Sequence, residues 1–189
     1  YYLLVSELMP HKSIDVAVEA FNRLRLPLVI VGDGPDERRL RRRAGPAVTF
    51  TGRVSDAEVA TLMAGARAMV VTSVEEFGIA AVESQAAGRP VIAKRGGGAL
   101  ETVIHGETGC LWSGGPEELA SAVLRFDDAE VDPVACVHNA LRFDSARFRE
   151  GMYNQVSAGQ ATAFPPAGGG RQPLASTRLL RRAGREPQT

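Results

Sequence analysis

The sequence predicts an α/β fold, a doubly wound, Rossmann-like parallel sheet with helices on both faces. Two observations predict it. Short apolar runs recur at residues 2–6, 27–31, 47–50, 68–71 and 90–93, each of a length and composition that suits a buried strand. A single stretch of helical pattern separates each run from the next, so the elements alternate as βαβ units. Short crossovers of right-handed sense then wind the helices onto both faces of the sheet.

Taken in order, Tyr2-Leu3-Leu4-Val5-Ser6 is the first strand. Ile14, Val18 and Phe21 recur at helical spacing over residues 14–24, with Ser13 placed to cap the helix. The β-branched run at 27–31 stops at Gly32-Asp33-Gly34-Pro35, a tight turn, and a short charged helix follows over 36–44. The third strand exits through Gly52-Arg53-Val54, and Ser55 with Glu58 spells a capping box at the start of the next helix. After the strand at 68–71, an Ala-rich helix closes at Gly88 with Pro90 just beyond it. The fifth strand leads into Gly96-Gly97-Gly98, either a flexible linker or a stretch that lets backbone approach a ligand, and then into a segment over 100–104; residues 109–112 add a short edge strand. Pro116 stands in the first turn of a helix that runs to Phe126, and helical pattern resumes weakly over 133–156.

The chain has 189 residues, enough for one domain with a core of its own. We place an α/β domain at 1–156 and read 157–189, with Pro165-Pro166, Gly168-Gly169-Gly170 and scattered Arg, as a disordered tail or one foreign to the domain. Lys plus Arg and Asp plus Glu both number 22, so net charge says nothing about partners, and the thin arginine clusters leave no nucleic-acid partner expected. No apolar run is long enough for a membrane helix, and no signal peptide is visible. Cys110 and Cys136 are the only cysteines, which suits a reducing, cytoplasmic setting without a disulfide framework. The chain opens without Met, inside a strand, so a piece of something longer, or a processed or incomplete sequence, is expected.

The chemistry concentrates between residues 73 and 90. Glu75 and Glu83 lie eight positions apart across a strand–loop–helix junction. Open α/β sheets bind ligands at such loops, and backbone N–H groups at a helix start attract phosphate. Phe77, Gly78 and Ile79 thus form an anion seat, with an acid on either side in sequence. Taken alone, the two acids are equally what a helix start favours through its dipole. On the residues alone, Lys12 after the first strand reads as a solvated lysine and Arg53 as an exposed loop arginine. The run Arg38-Arg39-Leu40-Arg41-Arg42-Arg43 follows the helix dipole and reads as a solvated face rather than a nucleic-acid patch. No G-x-G-x-x-G follows the first strand, which argues against a dinucleotide oxidoreductase. The histidines lack metal-ligand spacing with the cysteines, so no metal site is expected.

Ser73, Glu75, Phe77-Gly78, Glu83, Ala87-Gly88 and Pro90-Val91 together resemble the donor-binding half of the family-four retaining glycosyltransferases. The resemblance extends to residues 2–21 with Lys12, to 29–35, to 97–103 and to 106–109, and it is nearest to the mannosyltransferase-like bacterial branch. It implies the C-terminal lobe of a two-lobed, metal-independent enzyme without a separate cofactor. The donor would be a nucleotide-sugar, GDP-mannose or another nucleotide-hexose. The acceptor, a glycan or lipid-linked sugar, would bind a preceding lobe that this chain lacks, and any peripheral membrane association would come through that lobe. By resemblance, Glu75 and Lys12 are catalytic, near the transferred sugar and the diphosphate. Glu83 holds the ribose, Arg53 and Val54 the base, and Gly32, Gly34, Ser73, Phe77, Gly78 and Ile79 complete the donor cleft. The chain departs from the family at Glu7, where an arginine is usual. A carboxylate there costs a diphosphate about 1–4 kcal/mol at 4 Å, depending on the local dielectric. That departure and the lacking lobe motivate the alternative of a nucleotide-sugar-binding module without catalysis.

Overall fold

The computed structural model describes residues 1–127, 131–147, 149–150 and 152–154. Its strands are β1 (Tyr2–Val5), β2 (Leu28–Val31), β3 (Val48–Gly52), β4 (Met69–Val71), β5 (Val91–Lys94) and β6 (Gly109–Trp112). Its helices are α1 (Ile14–Leu24), α2 (Glu37–Arg43), α3 (Asp56–Gly65), α4 (Ile79–Ala86), α5 (Ala99–Thr102), α6 (Pro116–Asp127) and α7 (Pro133–Ala140). Short 3-10 turns occupy Pro10–Lys12 and Leu141–Phe143. All of these lie in the first of two compact units, Tyr1–Phe148. The tail read from residue 157 onward lies outside the described residues.

The six strands form one sheet in the order β3-β2-β1-β4-β5-β6. Every pairing is parallel, so the doubly wound sheet expected from the sequence is present. Strand order reverses between β1 and β4, which are joined through Leu3 opposite Met69. A parallel sheet needs cover on both faces, and period-two alternation along β1 supplies it. Tyr2 and Leu4 point into a cluster with Ile14, Val18 and Phe21 of α1, Leu40 of α2, and Leu119 and Val123 of α6. Leu3 points the other way, to Met63 of α3, Ala81 of α4, and Ala99 and Val103 at α5. Burying a Leu, Ile or Phe side chain contributes about 1.5–3 kcal/mol, so the two clusters are what hold the helices to the sheet.

Side-chain caps start two of the helices, Ser55 at α3 and Asp132 at α7. Ser55 and Glu58 form the expected capping box at α3, with the Glu58 N–H donating to Ser55 Oγ and Glu58 Oε2 accepting from the Ser55 N–H. Ser13 behaves differently from the expectation. It precedes α1 in the left-handed conformation (φ 53°) and makes no side-chain cap bond, because its N–H is drawn back to Pro10 O to close the preceding turn. Three of the five arginines of α2 pair with nearby acids. Arg39 pairs with Asp36 at 2.6 Å, Arg41 with Glu37 at 2.7 Å, and Arg43 reaches Asp15 and Glu19 of α1 at 3.6 Å. The hydrogen bond from Arg39 holds the Asp36 carboxyl below the usual range and raises the Arg39 guanidinium in turn.

Candidate functional site at the sheet switch point

Where strand order reverses, the exits of β1 and β4 diverge and leave a cavity of about 660 Å³. Ser6, Glu7 and Lys12 line it from β1, residues 72–78 from β4, and residues 79–81 from the start of α4. The β1 exit is held from behind. Leu8 N–H donates to Asp33 O at 2.8 Å, and Asp36 N–H donates to Leu8 O at 3.0 Å. The glycines of the 32–35 turn permit this approach. A Cβ on Gly32 (φ 127°) would lie 1.9 Å from Ser6 O, and one on Gly34 would lie 2.5 Å from Leu8 O. Both glycines therefore pack beneath the β1 exit, and neither lines the cavity.

The turn at Pro10–Lys12 delivers the Lys12 side chain into the cavity. Its backbone is pinned by Thr72, a buried hydroxyl at the end of β4 that donates to Lys12 O at 2.7 Å. Lys12 Nζ donates to both Glu75 carboxylate oxygens, at 2.9 and 2.8 Å. Ser73 Oγ donates to Glu75 Oε1 as well. Burial alone would push the Glu75 pKa up. The hydrogen bonds from Lys12 and Ser73, with the charges of Lys12 and His11, outweigh burial and set it below the usual carboxylate range. Glu7 and Glu76 are exposed and also line the cavity wall, which therefore carries three carboxylates, of which Glu75 holds Lys12.

Gly78 takes the left-handed conformation (φ 83°, ψ 57°) that turns the chain into α4. The first N–H groups of α4 lack intrahelical partners and point toward the cavity end of the helix. The Gly96-Gly97-Gly98 loop, expected from the sequence to let backbone approach a ligand, lies against the Glu75–Phe77 backbone. A Cβ on Gly97 would meet Glu75 O at 2.1 Å, and one on Gly98 would meet Phe77 O at 2.3 Å. Gly98 N–H also donates to Glu75 O at 2.8 Å.

The structure thus brings together Lys12, Ser73, Glu75, Phe77, Gly78 and Ile79. Glu83 sits apart. It is exposed farther along α4 and lines a second cavity of about 330 Å³ with Asp56, Val59 and Met63 of α3. Arg53 is exposed just past β3, and Val54 packs on the second core cluster. Sequence reasoning missed Thr72, because a hydroxyl at a strand end carries no local sign of a partner sixty positions away. It also missed Phe143, whose ring meets that of Phe77 edge-on at 5.6 Å. Among the described residues no group of His, Cys, Asp and Glu is arranged to hold a metal ion. Nor is any helix there long and apolar enough to cross a membrane.

A parallel sheet with a cavity outside the strand ends, at the point of order reversal, defines the class of α/β proteins that bind ligands in that crevice. Residues 1–127 match the family described as glycosyl transferases group 1, and the chain belongs to it. It is 40% identical over 128 residues to the GDP-mannose-dependent alpha-(1-6)-phosphatidylinositol monomannoside mannosyltransferase of Mycobacterium tuberculosis, covering 58% of this chain and 33% of that protein. It is 32% identical over 149 residues to the glycogen synthase of the same organism, covering 73% of this chain and 36% of that protein. Among solved structures it is similar to Anabaena Alr3699/HepE in complex with UDP and glucose, with TM-score 0.67 and 27% identity over 87% of this chain and 48% of that one. The chain spans about a third of the length of these curated relatives and about half of that solved chain.

Proposed function

We propose that this chain is the C-terminal, donor-binding lobe of a retaining, metal-independent glycosyltransferase of the mannosyltransferase-like bacterial branch. The observation that carries the reading is the Lys12–Glu75 ion pair at 2.8 Å inside the switch-point cavity. A sugar–diphosphate bond breaks with negative charge on the departing diphosphate and positive charge on the anomeric carbon. An enzyme accelerates that step by orienting the sugar and stabilising the leaving group. Lys12 and the N–H groups of residues 77–79 suit the diphosphate. Glu75, buttressed by Ser73, suits the sugar hydroxyls as an acceptor.

In this reading α4 acts as a rail. Its start lies at the phosphates, and Glu83, a turn farther on, accepts from the ribose hydroxyls. Arg53 and Val54, past the end of the edge strand β3, face the base. Gly32 and Gly34 serve the donor indirectly, by holding up the β1 exit. GDP-mannose is the donor we place first, since the mycobacterial relative is described as GDP-mannose-dependent. The acceptor, a glycan or lipid-linked sugar, would be bound by another lobe, and any association with a membrane surface would come through that lobe. The setting we propose is cytoplasmic.

Calorimetric titration with GDP, UDP, GDP-mannose and UDP-glucose tests the reading. Binding in the micromolar to millimolar range is expected, with the guanine ligands ahead. No heat from any of the four at millimolar concentration would overturn it.

Glu7 favours a second reading, a module that binds a nucleotide-sugar without transferring the sugar. It is exposed on the cavity wall, where its charge opposes a diphosphate. Replacing it by arginine exchanges repulsion for attraction, so Glu7→Arg is expected to tighten GDP binding by about tenfold, the equivalent of about 1.4 kcal/mol. Unchanged affinity would mean that Glu7 points away from the phosphates, and the case for an inert module would lose its motive.

A further inference from the structure

We infer that Phe143 is a positioning residue for the phosphate seat. The inference rests on the reading of residues 77–79 as that seat. Phe77 is an aromatic side chain left 42% exposed in the loop between β4 and α4. Its backbone has a floor, since Gly97 and Gly98 leave no space for a Cβ beneath residues 75 and 77. Its ring has one aromatic neighbour among the described residues, Phe143, set edge-on at 5.6 Å and 74°. Edge contact between rings is directional, because the positive edge of one meets the negative face of the other. It therefore fixes an orientation as well as covering surface.

Phe143 is itself fixed relative to α4. Asn139 of α7 donates through Nδ2 to Gln85 Oε1 of α4 at 2.6 Å and to Thr102 O at 2.9 Å. Gln85 Nε2 donates to the same Thr102 carbonyl at 2.8 Å. Gln85, Thr102 and Asn139 are all buried, at 0–2% exposure, so these bonds are costly to leave unmade. Arg142 Nη1 donates to Asn139 Oδ1 at 2.8 Å, and its guanidinium lies 5.3 Å from the centre of the Phe143 ring. The amide cluster locks α7 to the body of α4. The Phe143–Phe77 contact then ties the segment after α7 to the loop just before α4. The Gly78 turn, and the N–H groups it aims at the cavity, are held from both ends.

Two measurements on the whole chain test this. In amide hydrogen exchange without ligand, Phe143→Ala is expected to speed exchange over residues 75–79 by about tenfold while β1 and β5 keep wild-type rates, and Phe143→Tyr restores protection. In titrations, Phe143→Ala is expected to weaken GDP by about 3- to 10-fold, the range an aromatic pair accounts for, with guanosine unaffected. Unchanged exchange at 75–79, or equal losses for GDP and guanosine, would overturn the proposal. If exchange responds as expected but wild type binds no nucleotide, the positioning role stands and the donor-site reading falls.

Discussion

Glu75→Gln is expected to give two opposite results: loss of sugar transfer and tighter binding of free nucleoside diphosphate. The carboxylate receives Lys12 through both of its oxygens, and Ser73 as well. The amide keeps the shape and removes the charge. Lys12 then loses the carboxylate that holds it and is released to a phosphate. The Lys12 and Glu75 side chains are 22% and 30% exposed, so solvent screens much of the attraction. The gain for GDP is accordingly about 3- to 10-fold, measured by calorimetry. Transfer, assayed with the chain paired to an acceptor lobe, should fall by about 10²–10³-fold, as when one preorganised polar group is removed from a reacting centre. Glu75→Gln that weakens GDP would show that Glu75 supports the diphosphate rather than competing with it for Lys12.

The same substitution carries a signature in acid. The Glu75 pKa is lowered in the folded chain, so its contribution to stability is complete above the ordinary glutamate range. It is lost as pH falls through the lowered value. The wild-type chain should therefore lose a component of stability on acidification that Glu75→Gln lacks, a difference visible in urea melts repeated at pH 7 and pH 3.

Gly32→Ala is expected to be the most damaging single methyl in the site region. The new Cβ would stand 1.9 Å from Ser6 O and 3.0 Å from Ser6 C, both backbone atoms. Ser6 has little room to retreat, since its N–H is bonded to Val31 O at 3.1 Å. The backbone conformation, φ 127°, is itself unfavourable for a residue with a side chain. Together these should cost about 4 kcal/mol or more in urea unfolding. Gly52→Ala is the control. It too has positive φ, 74°, but a Cβ there would meet nothing within 4 Å, so only the conformational cost of about 1 kcal/mol applies. Equal losses at the two positions would show that the close approach to β1 is not what demands glycine at 32.

What was legible in the sequence, and what was not, divides along range. The strands were legible because Leu28 to Val31 and Met69 to Val71 are apolar without interruption, and their alternation with helices left few topologies open. The capping box at Ser55 was legible because both of its partners lie within four residues. The Lys12–Glu75 pair was anticipated as two donor contacts but not as a bond between them, since a sequence does not say which of two loops meet. Glu83 was grouped with Glu75 by spacing, whereas the turn of α4 carries it toward α3 and a separate cavity. Gly96 to Gly98 read as room for close backbone approach, but nothing local says that Gly97 and Gly98 meet the backbone of residues 75 and 77. Ser13 had the chemistry of a cap, but a tight turn before α1 claimed its backbone first. Thr72 and Phe143 gave no local sign because their partners lie 60 and 66 positions away.

A joined pair of opposite charges also works as a filter. Under the proposed function, free phosphate recruits Lys12 only by leaving Glu75 uncompensated. A free hexose recruits Glu75 only by stripping Lys12 of its counter-charge. A molecule that carries anion and hydroxyls together replaces both contacts in one event, and each half of it relieves the vacancy the other creates. The resting pair thus acts as a coincidence detector, ranking the intact two-part ligand above either of its fragments before any acceptor is present.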